Sequence, residues 1–367
     1  MKPSPLNILI RLLFAALVAL ALTGCTLCKG LFLNAPGYTD QFRFESAEVG
    51  PAESLYEFMR PEQDLELGSK VKVIPTFIGL ETMTMDEALQ ESPTQAFLIL
   101  RNDSLIYEGY FDGYGPEDPM TSFSVAKTFT GCLLAIAMEE GHVKSLDEPV
   151  QRYLSDFPFD DVTIDHLVNH TSGLKFPAEW KMYYGKNLDR LATKVSRRTE
   201  PGVTWRYENG GSQLLGQVIQ SATGIPLAEY LQSRIWDKIG TEAPLHWSTD
   251  GEEEVKAFCC MNARARDFAR FGLVMQDFGS WQGEQIIPRW WFEQGIQASS
   301  EDGRFIRYRH QMWLENQEAG SYLANGAYGQ YIYVYPPKNI VIIRFAVESL
   351  HVHAAWSEFV NTVIEQL

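Results

Sequence analysis

Apolar residues cluster in two bursts over residues 96–111, "AFLIL" and "LIYEGYF", parted by Asn102-Asp103. Two strand-like runs around such a pair predict a β-hairpin. A loop rich in Gly and Pro follows at 113–119. Over residues 124–140 the spacing turns helical: Phe129, Leu133, Ile136 and Ala137 share a face, and Gly141 ends the run. Further helices are predicted within 162–174, from near Ser212 to Gly224, over 225–240 with Pro226 in the first turn, and over 263–279. Strand-like patterns return at 328–337 and 339–346. The final segment places Trp356, Phe359, Val360, Val363, Ile364 and Leu367 on one helical stripe, suited to packing on a sheet. Strands at both ends with helices between predict an α+β fold: an antiparallel β-sheet flanked by helices, with a mostly helical region inserted over about residues 130–250.

The N-terminus changes the picture. Lys2 and Arg11 precede an apolar stretch that ends in Leu22-Thr23-Gly24-Cys25. A charged start, an apolar core and a small-residue site describe an export signal, residues 1–24. Cysteine directly after Gly24 resembles a bacterial lipobox and makes Cys25 the expected lipid attachment point. The expectation is an exported lipoprotein held on a membrane by its acyl chains, on the periplasmic or cell-surface side. Residues 25–85 mix Pro, Gly and charges and are expected to form a tether and N-terminal extension. Residues 86–367 are expected to form the main domain.

Charge narrows the partners. The 31 Lys+Arg against 47 Asp+Glu give a net charge of −16, which argues against a nucleic-acid partner. Five cysteines occur, and none has metal-ligand spacing with nearby histidines, so no metal site is expected. Cys132, Cys259 and Cys260 read as small buried apolar residues, because adjacent cysteines are strained as a disulfide.

Ser-x-x-Lys occurs three times: Ser69-Lys72, Ser124-Lys127 and Ser172-Lys175. Only Ser124-Lys127 opens a long apolar helix; the first copy precedes an extended "VIP" and the last holds Gly173. Residues three apart share a helix face, so the Lys127 amine can reach the Ser124 hydroxyl. A helix start also presents free N–H groups to a developing oxyanion. Serine needs a base, and burial lowers a lysine toward that role. Tyr207-x-Asn209 in "RYENGG" is the one Tyr-x-Asn in the chain. A tyrosine beside a lysine ammonium can act as a base. Asn209 can bond a substrate carbonyl and fix the lysine.

With these residues in hand, the segments "SFSVAKTFTG", "VTIDHLVNHTSGL", "EPGVTWRYENGGSQLLGQVI", "ARARDFARFG" and "GAYGQYIYVYPPKNIVIIRF" resemble, in order, the serine β-lactamase/penicillin-binding-protein-like superfamily, in its class C β-lactamase-related branch. That resemblance implies a β-lactamase/transpeptidase-like fold and a serine hydrolase that cleaves an amide or ester through an acyl-enzyme without a cofactor. It implies Ser124 as nucleophile and Lys127 as its proton partner. Tyr207 becomes base and acid, and Asn209, Gly326 and Ala327 bind substrate, with the Ala327 N–H as second oxyanion donor. The last strand reads "LANGAYGQ", without the Lys or His that family members use to hold a substrate carboxylate. In this the chain is closer to the 6-aminohexanoate-dimer hydrolase type than to a dedicated β-lactamase. The expected substrate is a small-molecule or short-peptide amide or ester. The alternative is a penicillin-binding or peptidoglycan-sensing protein with slow deacylation. His170 is expected to brace a turn, the run 252–254 to be solvated, and Trp180, Tyr183 and Tyr184 either to line the pocket or to pack.

Overall fold

The computed structural model describes residues 36–76, 79, 81–297, 307–316, 318–347 and 353–367, together with Arg11. Apart from Arg11, the expected export signal lies outside the described residues, as do Cys25 and Cys28.

The elements that build the site follow in chain order. Strand β1 (Ser46–Val49) is followed by the hairpin β2 (Thr94–Arg101) and β3 (Ser104–Tyr110), then by β4 (Pro119–Thr121). Helices α1 (Ala126–Glu139), α2 (Ile164–Val168), α3 (Glu179–Tyr184) and α4 (Asn209–Thr223) come next. Then follow β5 (Leu245–Ser248), β6 (Met261–Arg264) and helix α5 (Ala265–Gln276). Strands β7 (Tyr308–Arg309), β8 (Met312–Leu314), β9 (Tyr322–Gly326), β10 (Gln330–Tyr335) and β11 (Ile340–Ala346) lead to the terminal helix α6 (His353–Gln366).

Seven strands form one antiparallel sheet in the order β7-β8-β9-β10-β11-β2-β3. The early hairpin thus pairs with the last strand, Ile340 opposite Arg101. The hairpin turn places Asn102 and Asp103 at φ 47° and 64°, the left-handed pair that a tight antiparallel turn requires. Alternation assigns the two faces. Ala96, Leu98, Val341 and Ile343 join α1 and α5 in the main core. Phe97, Ile99, Tyr333 and Ile342 meet Trp356, Phe359, Val360, Val363 and Ile364 of α6, the contact expected of that stripe. Helix α1 is buried from Ala126 to Ala137. It is apolar on nearly every side because it crosses the centre of the molecule.

Three expectations need adjusting. The boundary at residue 85 is not visible from Pro36 onward: β1 pairs with β5, and Val71, Val73, Met85 and Leu89 sit in the α6 core. Helix α4 starts at Asn209, three residues before Ser212. Glycine is a weak helix former, but a Cβ on Gly210 would run into the Phe176 ring, so packing selects it there. Cys132, Cys259 and Cys260 are buried as expected, yet Cys259 and Cys260 are joined as a vicinal disulfide. The fold turns the chain at that point. Cys260 takes φ 70°, its N–H donates to the Phe123 carbonyl, and Trp247 Nε1 donates to the Cys259 carbonyl.

Candidate active site

The Ser124 turn is clamped before α1 begins. The Ser122 N–H donates to the Met261 carbonyl, and the Met261 N–H donates back to Ser122 Oγ at 2.9 Å. Phe123 is left-handed at φ 43°, an uncommon conformation for a bulky residue that persists where its surroundings enforce it. Here the enforcement comes from the Cys260 N–H on its carbonyl and from the Tyr328 ring, 4.9 Å from its own. Ser124 is thereby presented at the open end of a buried helix.

Lys127 lies one turn on and is 1% exposed. Its Nζ donates to Ser124 Oγ at 2.8 Å, to Asn209 Oδ1 at 2.8 Å and to the Phe258 carbonyl at 3.0 Å. All three N–H donors are therefore used, and every acceptor is neutral. Burial pushes the lysine down to about 7, opposed by the Glu179 carboxylate. The other two Ser-x-x-Lys copies lack this geometry, since Lys72 and Lys175 are exposed.

Tyr207 completes the group. Lys127 Nζ sits 4.8 Å from its ring centroid, and its hydroxyl faces Ser124. Burial raises its proton affinity well above the tyrosine range, only partly offset by the interaction with Ser124. A resting phenolate, the state in which Tyr207 was expected to act as base, is thus disfavoured. Burial acts oppositely on the pair, raising the proton affinity of Tyr207 and lowering that of Lys127. His170 stacks on Tyr207 at 4.8 Å, and its Nε2 lies 3.0 Å from the Tyr308 hydroxyl. Burial keeps it neutral. Its carbonyl accepts from the Arg206 N–H, so it holds the turn before Tyr207.

Helix α3 contributes a residue that sequence reasoning passed over. Glu179 Oε2 accepts from Asn209 Nδ2 at 2.5 Å, and the same Nδ2 reaches the Tyr183 hydroxyl at 3.3 Å. Asn209 therefore relays between a carboxylate and the buried lysine. Of the three aromatics left open, Tyr183 packs into the site against Phe258. Tyr184 bonds Asp40, and Trp180 carries Lys181 over its ring. Phe258 was also missed, because it acts through its carbonyl and a backbone acceptor leaves no trace in residue type.

On the opposite side, β9 passes close to the nucleophile turn. A Cβ on Gly326 would strike the Ser122 carbonyl and lie 3.2 Å from Phe123 Cβ, so glycine permits the approach. Ala327 follows and is exposed, and Tyr328 turns the chain at φ 66°. Buried Arg344 donates to the Gly329 carbonyl at 2.9 Å and fixes this turn. Ala324 is fully enclosed. No lysine or histidine stands on β9 or in the turn after it. Among the described residues, no group of three or more His, Cys, Asp or Glu is disposed to hold a metal ion.

The fold agrees with the comparisons. The β-lactamase family matches residues 84–348, and the chain belongs to that family of serine hydrolases. Within it, the chain is similar to 6-aminohexanoate-dimer hydrolase of Paenarthrobacter ureafaciens, 22% identical over 293 residues that cover 71% of this chain and 74% of the relative. A shorter stretch of 123 residues is 36% identical to penicillin-binding protein 4* of Bacillus subtilis, covering 31% and 27% of the two chains. The solved structure of a proposed 6-aminohexanoate-dimer hydrolase from Bacillus anthracis superposes with a TM-score of 0.80 at 26% identity, covering 90% of this chain and 92% of that one.

Proposed function

We propose that the protein hydrolyses small amides or esters through an acyl-enzyme on Ser124. The observation that carries this reading is Lys127 Nζ, buried and 2.8 Å from Ser124 Oγ. At neutral pH a lysine held near 7 is partly unprotonated, so it can take the serine proton as Oγ attacks the substrate carbonyl. The resulting oxyanion is received by the N–H groups of Ser124 and Ala327. As the carbon–nitrogen or carbon–oxygen bond breaks, Tyr207, which retains its proton, donates it to the leaving amine or alcohol and recovers one from Lys127. Water then attacks the acyl carbonyl, and its proton returns by the same pair. Asn209 fixes Lys127 and borders the carbonyl site with Gly326.

Substrate class follows from charge. The β9 edge carries no cation, and a carboxylate, Glu179, stands beside Asn209. A charge-assisted hydrogen bond to a substrate carboxylate is worth about 1.5–3 kcal/mol, and this site forgoes it. Short esters and uncharged or ammonium-bearing amides fit better than penicillins; the linear amide named for the Paenarthrobacter relative carries an ammonium and a carboxylate only at its two far ends, each five methylenes from the amide. Export and attachment to a membrane through lipidated Cys25 belong to the same proposal; the eleven residue steps from Cys25 to Pro36 reach at most about 40 Å.

The test is a hydrolysis screen over p-nitrophenyl esters, a chromogenic cephalosporin, D-amino-acid peptides and ω-amino-acid oligomers. Turnover of esters or ω-amino amides with poor β-lactam turnover is expected. Efficient β-lactam hydrolysis with esters untouched refutes the substrate assignment. A burst followed by lasting acylation supports the penicillin-binding role, for which the stretch shared with the Bacillus subtilis protein speaks.

A further inference from the structure

The segment between the expected anchor and β1 makes contacts that a tether does not need. Tyr328, next to Ala327 and with its ring tilted against Phe123, donates from Oη to the Pro36 carbonyl at 3.1 Å. Four residues on, Asp40 Oδ2 accepts from the Tyr184 hydroxyl at 3.4 Å and from the Gly37 N–H at 3.1 Å. Phe44 sets its ring edge on Tyr184 at 5.6 Å. Tyr328 belongs to the turn beside the nucleophile. Tyr184 belongs to α3, which holds Asn209 through Glu179 and Tyr183. One short segment is therefore tied both to the turn beside the nucleophile and to α3.

Its own ends are fixed. Gln95 Nε2 donates to Tyr38 Oη at 2.6 Å. The Glu45 carbonyl accepts from the Thr249 N–H at 2.7 Å, and β1 then pairs with β5. Residues Tyr38–Arg43 form a 3-10 turn, which rises about 2 Å per residue.

We propose that residues 36–44 form a wall of the substrate cleft and restrict it to slender, unbranched acyl and leaving groups. This rests on the acyl-enzyme reading above. A bulky group must displace the segment, and the two tyrosine hydroxyl bonds oppose that displacement.

The experiment uses the full chain and two fluorophosphonates, one ethyl and one carrying a bulky branched alkoxy group. It measures the rate constant of Ser124 labelling by each, in the parent, in Asp40→Ala and in the double variant Tyr184→Phe/Tyr328→Phe. Thermal melting confirms that each variant is folded. Loss of the long Tyr184–Asp40 bond should raise the bulky-to-small ratio about threefold to fivefold, and loss of both tyrosine bonds about tenfold. Asp40→Asn, which keeps an acceptor oxygen, should restore the parent ratio. A parent labelled at Ser124 whose ratio stays within twofold in the folded variants overturns the wall alone. A parent that no probe labels at Ser124 overturns the acyl-enzyme reading and the wall with it. Should one variant not fold, the other decides the question.

Discussion

Glu179→Gln tests the electrostatics of the site most directly. The glutamine keeps an oxygen for Asn209 and removes the charge. The Lys127–Asn209 and Asn209–Glu179 bonds of 2.8 and 2.5 Å act in series across one amide and set the two charges about 7 Å apart. Two unit charges at that separation interact by about 1–2.5 kcal/mol for effective dielectric constants of about 40 to 20. Glu179 is part-exposed, so solvent screening favours the low end, about 1 kcal/mol, or roughly 0.7 of a pH unit. The carboxylate favours the ammonium, so its removal lowers the Lys127 value further below about 7. Activity needs the neutral amine. It is present above that value and lost as pH falls through it, so the acid limb of kcat/KM should move down by about 0.5–1 pH unit. Glu208, between Tyr207 and Asn209, is pushed up to about 7 by burial and also feels Glu179, so the comparison is repeated in a Glu208→Gln background. Burial keeps His170 neutral and Tyr207 protonated. The assay is p-nitrophenyl ester hydrolysis from pH 5 to 9, corrected for spontaneous cleavage. A limb that stays in place or moves up refutes the argument. A lower plateau with an unmoved limb would mean that Glu179 serves only to hold Asn209.

Three further outcomes are expected. Ser124→Ala should abolish labelling by a fluorophosphonate while Ser69→Ala and Ser172→Ala leave it intact, and labelling that survives Ser124→Ala excludes this serine as nucleophile. Lys127→Met should remove the acid limb and lower kcat/KM by about a thousandfold, whereas Tyr207→Phe should lower it by about a hundredfold or more with the limb retained; limbs exchanged between the two variants would reverse the roles of base and acid. Cys25→Ser should release the protein from membranes in its native host, and unchanged retention with no lipid on the mature N-terminus would remove the anchor.

Legibility in the sequence followed how local each cause was. The Asn102-Asp103 hairpin and the α6 stripe depend on neighbours in the chain, and both were readable. Choosing Ser124 among three serines needed only the apolar run after it, which became the buried helix α1. The pairing of Tyr207 and Asn209 with that serine came from ordered motifs and not from any single spacing. Glu179 carries no motif, and its role appears only when α3 is laid beside Asn209. Phe258 contributes a carbonyl. The wall at residues 36–44 is legible only once Tyr184 and Tyr328 are side by side, although 144 positions separate them in the chain. The left-handed turn at Cys260 is bonded to the Phe123 carbonyl, a contact 137 positions apart in the chain that no local spacing announces.

A lowered proton affinity does not by itself mark a catalytic lysine in this fold. Lys256 is also buried and pushed to about 7. Its Nζ donates to the Thr249 carbonyl and lies 3.8 Å from the Phe44 ring centroid, while neighbouring Ser248 bonds it only through the backbone. Buried Arg344 likewise donates to the Gly329 carbonyl and Thr94 Oγ1, and it sits 3.5 Å from the Trp356 ring centroid. In each case neutral acceptors and π-faces accommodate the cation without the full Coulombic gain of a carboxylate contact, and burial then weighs against the charge. A carboxylate bonded to Lys127 would cancel that effect and hold the ammonium, leaving Ser124 without a base. The site avoids this by inserting Asn209 between Glu179 and Lys127. The amide passes on orientation in full and charge only in part. What separates Lys127 from the other buried cations is therefore not its proton affinity but its position, one helical turn from a hydroxyl at an open helix end.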